Sequence, residues 1–470
     1  MGRAGPKLAM ALLLAVAGHA CVRPPAQRVS ARGPESAKAN QHLPREVALA
    51  EVPPPAESHG CSAVRVALPE LIETKIDVPV PDVVDPDHTL LPFYQRVTEL
   101  LRGQAKDHVR IAVFGDSNMT MDWITGEMRR TLQEKYGDAG HGYVALGRPW
   151  EWYRHMDVRS GHERLDWTPF AVSTHPSPEA AYGFAGIAAR SERAGAVTWV
   201  ATAPESSPVG TRASRVDVYY LRKPHGGSFE IRVDGSERAR ISTASAAREA
   251  AFHTLELSDA PHRVELVSTT VESVTAFGVT LERGTPSFVI DSLGLGAVSG
   301  PLLLRQDREV MRAALSHRGY DLIALLLGSN QVWPVRYEAQ MAELIARFRE
   351  ALPDVPVLVM SPVDQVKSLK SWRSTPDIQL VSRQNEHIAR DNKCAFWDFR
   401  GAMGGNASMV RFMTQGMGQA DGIHLTQKGA RYMGRRLTYA LMRDVDGWLA
   451  AHGDAGCAPT KAVPTGIALR

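Results

Sequence analysis

The feature that most constrains the fold is a series of short apolar runs separated by segments with helical spacing. Residues 321–327 read Asp-Leu-Ile-Ala-Leu-Leu-Leu and are apolar on both faces, as a central strand of a parallel sheet must be. Similar runs occupy residues 110–114, 356–360 and 394–398, and helical patterns cover residues 91–101, 122–136, 337–352, 382–392 and 428–449. Strands that alternate with helices at these lengths predict a doubly wound α/β core, with a parallel sheet covered on both faces.

Between residues 183 and 283 the pattern changes from helical spacing to an alternation of apolar and polar residues. The alternating segments are residues 198–201, 215–221, 228–233, 253–257, 263–267 and 276–281. Asp234-Gly235 is a hairpin-type turn between two of them. Short alternating strands without helices between them predict an antiparallel β-sandwich. We expect this sandwich to be an insertion, because strands and helices alternate again from residue 288.

With 470 residues the chain is too long for one small core, and we divide it into six segments. They are an export signal with a possible lipidation site (1–21), a disordered Pro/Ala-rich tether (22–60), a first part of the core (61–155), the mostly β-sandwich insertion (156–286), a second part of the core (287–452) and a flexible tail (453–470). The tether follows from its many prolines and from the absence of any apolar period.

The N-terminus has the pattern of a bacterial export signal. Arg3 and Lys7 precede an apolar run over residues 8–17, which is too short to span a bilayer as an ordinary helix. Cys21 follows Ala20 and resembles the lipidated cysteine of bacterial lipoproteins, although the residues before it depart from the usual pattern. Lipidation of Cys21 and ordinary cleavage after Ala20 both stay open. We expect an exported protein, in the periplasm or outer membrane as a lipoprotein or secreted, with membrane contact only through this anchor.

Composition excludes several classes of partner and cofactor. A net charge of +3 is too small at this length to predict nucleic-acid binding. The four cysteines, Cys21, Cys61, Cys394 and Cys457, are not spaced as zinc ligands, and whether Cys61 pairs with Cys457 stays open. Cys394 lies in an apolar run and is expected to be a buried thiol. We expect no metal and no cofactor.

Two groups of side chains near the first core strand admit more than one interpretation. His141, His155, His162 and His175 lack metal-ligand spacing with acidic partners, so we interpret them as surface histidines. The aromatic residues Trp150, Trp152, Tyr153, Trp167 and Phe170 suit the lining of a sugar-binding cleft, but packing in the core is the commoner reason for such residues.

Four features fall at the carboxyl ends of predicted parallel strands, where ligands bind in doubly wound sheets. They are Ser117 after the first strand, the loop from Gly294 to Gly296, Asn330, and the segment that contains Asp421 and His424. Asp421 and His424 are three residues apart, so the carboxylate reaches one imidazole nitrogen while the other faces outward. Ser117 has two interpretations, a helix cap or a nucleophile activated by a base.

Taken in order, these motifs resemble the signature blocks of the SGNH/GDSL hydrolases. The blocks are Gly115-Asp116-Ser117, the glycine loop, Gly328-Ser-Asn330, and Asp421-Gly-Ile-His424-Leu-Thr426. The resemblance implies a flavodoxin-like α/β core with Ser117 as the nucleophile, His424 as the general base and Asp421 as its partner. It also implies that the Ser117 amide, an amide of Gly294 or Gly296, and the Asn330 side chain stabilise the oxyanion. Asp116 is expected to be structural.

Within the family, a β-sandwich inserted after the first block is similar to periplasmic peptidoglycan O-acetylesterases, whose insert resembles a carbohydrate-binding module. Three departures leave the substrate open: Asn118 stands where relatives have His, Gln331 replaces an acidic residue, and the glycine loop is one residue short. The resemblance therefore predicts a carboxylic ester hydrolase that removes a small acyl group, acetyl in the first instance, from an envelope polysaccharide. The alternatives are an O-acyltransferase with the same triad and a noncatalytic glycan-binding lipoprotein.

Overall fold

In this computed structural model the described residues are 64–163, 167–331, 334–368 and 370–452. The predicted export signal with Cys21, the tether, Cys61, Cys457 and the C-terminal tail lie outside them. Cys394 is buried with a free thiol, as predicted. Among the described residues, no helix combines the length and the apolar content that crossing a membrane requires.

The helices are α1 (Leu91–Leu101), α2 (Trp123–Tyr136), α3 (Arg308–Arg318), α4 (Tyr337–Ala351), α5 (Pro376–Asp391), α6 (Phe399–Met403), α7 (Ser408–Thr414) and α8 (Gln427–His452). The strands are β1 (Val109–Gly115), β2 (Gly140–Ala145), β3 (Val158–His162), β4 (Thr168–Ala171), β5 (Ile187–Ser191), β6 (Val197–Thr202), β7 (Ala213–Arg222), β8 (Ser228–Val233), β9 (Ser236–Ser242), β10 (Glu249–Ala260), β11 (Arg263–Ser268), β12 (Val274–Glu282), β13 (Phe288–Gly294), β14 (Leu322–Leu326), β15 (Val357–Met360) and β16 (Ala395–Trp397).

A parallel sheet in the order β13-β1-β14-β15-β16 forms the centre of the α/β core. Numbered along the chain, these strands are in the order 2-1-3-4-5, which is the flavodoxin-like arrangement. The order reverses at β1, so the crevice beyond the carboxyl ends of β1 and β14 is the expected ligand site. The predicted fold class is confirmed.

Successive residues of β1 are buried on opposite faces of this sheet. Ile111 and Val113 belong to a core shared with residues of α2 and α8, whereas Ala112 and Phe114 belong to a core shared with α3 and α4. The Phe114 ring lies 5.0 Å from that of Phe348 on α4. Because helices cover both faces, the strand is apolar from Ile111 to Phe114.

The inserted part consists of two antiparallel sheets, ordered β10-β7-β12-β5-β4 and β3-β6-β11-β8-β9. Their apolar residues share one core, in which Tyr220 on β7 meets Phe229 on β8 edge to face at 5.3 Å. This agrees with the predicted antiparallel insertion. Strand β2 was not predicted: residues 137–142 contain three glycines, which are typical of a turn, but β2 pairs with β12 and joins the first of these sheets.

Helix α5 begins six residues earlier than the sequence predicted. Its cap is Thr375, whose hydroxyl accepts the backbone N–H of Ile378, and Pro376 occupies the first turn. Both features are typical of helix N-termini, so the local sequence contains a start signal ahead of the apolar period. The short helices α6 and α7 were not predicted.

Candidate active site

Ser117 lies where β1 ends, at the first residue of a 3₁₀ turn (Ser117–Met119). Asp116 caps this turn, because its Oδ1 accepts the backbone N–H of Asn118 at 3.0 Å. The Thr120 hydroxyl donates to the carbonyl oxygen of Ser117 at 2.9 Å. The turn is therefore fixed by its own side chains, and the Ser117 hydroxyl is left at the strand end beside the reversal of strand order.

Two glycines make room for this turn. A Cβ on Gly115 would lie 2.2 Å from Cγ of Met119, and a Cβ on Gly294 would lie 2.5 Å from the Met119 carbonyl carbon. Gly115 and Gly294 are paired in register at the ends of β1 and β13. Since real Cβ atoms do not approach other atoms this closely, glycine at both positions lets the turn pack onto the two strand ends.

His424 connects Ser117 to Asp421. Its Nε2 lies 2.8 Å from the Ser117 hydroxyl oxygen, and its Nδ1 lies 2.6 Å from Oδ2 of Asp421. A neutral imidazole that donates from Nδ1 to the carboxylate accepts the serine proton at Nε2. The structure thus brings Ser117 together with the pair of Asp421 and His424, although Ser117 and His424 are 307 residues apart along the chain.

The carboxylate of Asp421 is held by the loop that presents the imidazole. Its Oδ1 accepts the backbone N–H groups of Ile423 at 2.9 Å and of His424 at 3.0 Å. Burial acts to raise the pKa of Asp421, but the hydrogen bonds from the His424 side chain and from these amides hold that pKa below its ordinary value. The carboxylate therefore remains ionised and fixes the imidazole tautomer across the neutral range.

Asn118 ties the serine turn to the histidine loop. Its Oδ1 accepts the backbone N–H of Leu425 at 2.9 Å in a buried contact. The side chain of Asn118 is itself buried, and the backbone N–H of Asn118 donates to the Asp116 carboxylate. Sequence reasoning noted this asparagine only as a departure from relatives. The only signal in the sequence for this contact was a small polar side chain directly after Ser117.

Asp116 is not part of the hydrogen-bonded series formed by Ser117, His424 and Asp421. It is fully buried, and burial raises its pKa above the ordinary value although the Asn118 amide opposes that rise. The contacts are those of a turn cap, in line with the structural role expected from the sequence.

The other predicted oxyanion residues lie near the same sheet edge. Gly294 ends β13, and the Leu295 amide donates to the Gly115 carbonyl at 3.0 Å. Gly296 is half-buried, with no atom within 4 Å of where its Cβ would stand, and the Ser173 hydroxyl holds its carbonyl at 2.7 Å. The Asn330 amide nitrogen donates to the Val298 carbonyl at 3.1 Å, which leaves its second hydrogen for another acceptor.

A pocket of about 340 Å³ opens in front of the serine. Its lining consists of Ser117, Asn118, Thr120, Met121, Trp123, Trp152, Gln419, His424 and Leu425. Of the aromatic residues singled out in the sequence, Trp152 is exposed at this pocket, Trp150 and Phe170 are half-buried, and Tyr153 and Trp167 are buried in the core. In the described chain the lining does not include Gly294, Gly296 or Asn330.

The interpretation of the four histidines as surface residues was wrong for His141, and His155 is half-buried beside it. His141 is buried, and its Nε2 lies 3.0 Å from Nδ1 of His155. His175 is exposed and His162 is half-buried. Burial lowers the pKa of His141 well below its ordinary value and that of His155 to about 4.

The two histidines lie beside a third group, which sequence spacing did not reveal. Asp122 completes a set of potential metal-ligand atoms that lie within 4.8 Å of one another. Both oxygens of Asp122 already accept hydrogen bonds from Arg129, and this ion pair is fully buried. A divalent cation would have to displace or face a buried guanidinium, so the set does not suit a metal ion.

Comparison with known proteins gives a family match over part of the chain and a likeness of fold. Residues 268–432 match the GDSL-like lipase/acylhydrolase family, a span that contains the glycine loop, Asn330, Asp421 and His424. The solved structure of a peptidoglycan O-acetylesterase has a TM-score of 0.65 at 21% identity, covering 78% of this chain and 99% of that chain. A search of curated proteins finds no match.

Two other solved structures overlap more loosely. A family two carbohydrate esterase from Clostridium thermocellum, in complex with cellohexaose, has a TM-score of 0.26 at 12% identity, covering 60% of this chain and 99% of that chain. A putative GDSL-like lipase from Parabacteroides merdae has a TM-score of 0.28 at 15% identity, covering 34% of this chain and 75% of that chain. At these TM-scores we infer nothing about the fold or the function of the chain from the two structures. The family match over residues 268–432, the flavodoxin-like core with its antiparallel insertion and the order of the motifs support an SGNH/GDSL hydrolase that acts on esters, with a fold that resembles a peptidoglycan O-acetylesterase.

Proposed function

We propose that the chain is an exported serine esterase that removes acetyl groups from an envelope polysaccharide such as peptidoglycan. The observation that carries the proposal is the series Ser117, His424 and Asp421, with contacts of 2.8 Å and 2.6 Å. The pocket of about 340 Å³ lies at the small end of the range for ligand sites. It suits a small acyl group with part of a sugar better than a long acyl chain.

In the first step the Ser117 oxygen attacks the ester carbonyl carbon while His424 Nε2 takes the serine proton. The carbon–oxygen bond to the sugar then breaks, and the imidazolium returns the proton to the departing sugar hydroxyl. Asp421 does not transfer a proton in this scheme. Its carboxylate stabilises the imidazolium that forms between the two proton transfers.

The negative charge on the carbonyl oxygen requires preorganised donors. The candidates are the Ser117 amide, an amide of Gly294 or Gly296, and the second amide hydrogen of Asn330. Removing one donor of this kind costs about 3–4 kcal/mol in activation free energy. We favour Gly296 over Gly294, because open space lies next to Gly296 whereas Gly294 is packed against Met119.

In the second step a water molecule attacks the acetyl-enzyme. His424 accepts a proton from the water, the bond to the Ser117 oxygen breaks, and the serine recovers its proton as acetate leaves. Ester and water are thereby converted to acetate and a sugar hydroxyl. An acyltransferase would differ only in that a second sugar hydroxyl takes the place of this water.

Two observations favour a glycan as the alcohol part of the substrate. The chain shares its fold with a protein named as a peptidoglycan O-acetylesterase. The pocket combines tryptophan with polar side chains, including Asn118 and Gln419, as expected for a site that binds a hydroxylated ring.

The test is acetate release from O-acetylated peptidoglycan by wild-type protein and by Ser117→Ala. We expect release by the wild type and a loss of at least about 10³-fold in the variant, because no other nucleophile replaces the serine. Ser382→Ala on α5 is a control, since that hydroxyl only donates to a helix carbonyl. Transfer of acetyl to added glycan without acetate release would favour the acyltransferase. Hydrolysis of simple acetates alone would exclude the glycan substrate, and inactivity on every ester would favour a binding protein.

Export is part of the proposal and rests on the pattern of residues 1–21. Expression of the full chain in a Gram-negative host with labelled palmitate tests it. Label in the wild type but not in Cys21→Ser would support a lipid anchor, and unlabelled periplasmic protein would support cleavage after Ala20. Retention of both proteins in the cytoplasm would refute export.

A further inference from the structure

Trp152 is an exposed tryptophan at the mouth of the active-site pocket. Trp152 is 56% exposed, and it lines the pocket together with Ser117 and His424. Tryptophan is the largest side chain and is highly buried on average. Among the described tryptophans, Trp372 is the other exposed one, and it does not line this pocket.

The loop that carries Trp152 is anchored by the residues that follow it. Next to it, Tyr153 is buried, and its hydroxyl oxygen accepts the Ala145 backbone N–H at 3.1 Å. Further along, the Met156 backbone N–H donates to the buried Asp122 carboxylate at 2.9 Å. The exposure of Trp152 is therefore a property of a loop that Tyr153 and Met156 hold against the protein.

Trp123 also lines the pocket but differs from Trp152 in its packing. It is the first residue of α2, is half-buried and packs against the core below the pocket. Trp152 stands free of that core, so a ligand can cover its ring. An exposed aromatic ring in a pocket that is also lined by polar side chains such as Gln419 suits a ring with C–H groups on its face and hydroxyls at its rim.

We propose that Trp152 is a specificity-determining residue whose indole face stacks on the sugar ring that carries the ester attacked by Ser117. The proposal rests on the proposed function and extends it, because it names the residue that distinguishes an acetylated sugar from other acetates. Stacking on an exposed aromatic ring adds affinity only for substrates that present a ring. It leaves the hydrolysis of a small acyclic acetate unchanged.

The experiment compares two substrates, an O-acetylated peptidoglycan oligosaccharide and ethyl acetate, which has no ring to stack. For Trp152→Ala we expect kcat/KM on the oligosaccharide to fall about tenfold or more, mainly through KM, while kcat/KM on ethyl acetate stays within twofold of wild type. Trp152→Phe keeps an aromatic face and is expected to recover part of the loss. Trp372→Ala is the matched control and is expected to behave as wild type on both substrates.

A binding measurement on the Ser117→Ala background separates recognition from turnover. We expect the dissociation constant of the acetylated oligosaccharide to rise about tenfold or more when Trp152→Ala is added. Equal losses on both substrates would overturn the proposal, because they would indicate a disturbed pocket. No loss on the oligosaccharide would overturn it as well.

Failure of the proposed function has a different signature. In that case the wild type itself would release no acetate from the oligosaccharide while it still hydrolyses ethyl acetate. The stacking proposal would then fall together with the glycan substrate. When the wild type is active on the oligosaccharide, only the comparison with Trp152→Ala decides.

Discussion

Asn118 Oδ1 accepts the backbone N–H of Leu425 at 2.9 Å, so the residue after Ser117 holds the residue after His424. The two partners belong to loops 307 positions apart, and the contact is buried. Since Ser117 and His424 must stay within hydrogen-bond reach for proton transfer, this contact sets the relative position of the two loops.

Asn118→Ala removes that acceptor and leaves a buried backbone N–H unpaired, which costs about 1–3 kcal/mol in the free energy of unfolding. We expect kcat on a small acetate to fall about tenfold or more with little change in KM, because the histidine shifts while the pocket remains. Steady-state kinetics and denaturant unfolding measure both effects. A variant that is less stable but has wild-type kcat would show that the contact does not position His424.

Gly294 and Gly296 provide a matched pair of substitutions. Gly294→Ala places a methyl group against the Met119 backbone, whereas a methyl group at Gly296 meets open space. We expect Gly294→Ala to lose about 1–3 kcal/mol of stability and most of the activity, because the serine turn has to move. Gly296→Ala keeps its backbone N–H and is expected to retain stability and activity. Thermal unfolding and acetate release check the two variants. Equal stability and equal activity of the two would contradict the inference that the serine turn packs against Gly294 and not against Gly296.

Asp421→Asn tests the role of the carboxylate behind the histidine. An asparagine at this position keeps the size but cannot stabilise an imidazolium, and it favours the wrong imidazole tautomer. We expect kcat to fall about 10²–10⁴-fold with stability nearly unchanged, since the Asp421 side chain is partly exposed. Kinetics on a small acetate provide the measurement. A loss below about threefold would mean that backbone contacts alone orient His424.

Much of the fold was predictable because its signals are local. Helix α1 has the predicted bounds, and strands β14, β15 and β16 of the parallel sheet are continuous apolar runs. Strand β2 was missed for a physical reason. Its glycines suggested a turn, but a Cβ on Gly140 would lie 2.5 Å from the Leu281 carbonyl oxygen, so the glycine serves the close approach of β12.

The candidate site was predictable as a set of motifs but not as a set of contacts. Motif order and strand ends pointed to Ser117, Asp421 and His424. The bond from Leu425 to Asn118 depends on two loops that meet only in the folded chain. The exposure of Trp152 could not be read from residue type either, because its neighbour Tyr153 has similar chemistry and is buried.

The pair of His141 and His155 makes the stability of the protein dependent on pH. Burial holds the pKa of His155 at about 4 in the folded protein, against an ordinary value of 6.5. Between these values the unfolded chain binds more protons, so stability is full above about pH 6.5 and is lost as the pH falls toward 4. At about 1.4 kcal/mol per pH unit, His155 alone lowers the free energy of unfolding by about 2–3 kcal/mol between pH 7 and pH 4.5.

His155→Asn removes this titration while it keeps a polar group opposite His141, so we expect its free energy of unfolding to fall less between pH 7 and pH 4.5 than that of the wild type. His387→Gln changes an exposed histidine on α5 and is expected to follow the wild type. Urea unfolding of the three proteins at both pH values supplies the comparison. If His155→Asn lost as much stability as the wild type, the acid sensitivity would have to come from other groups. The pair of His141 and His155 would then be protonated no more readily in the unfolded chain than in the folded one.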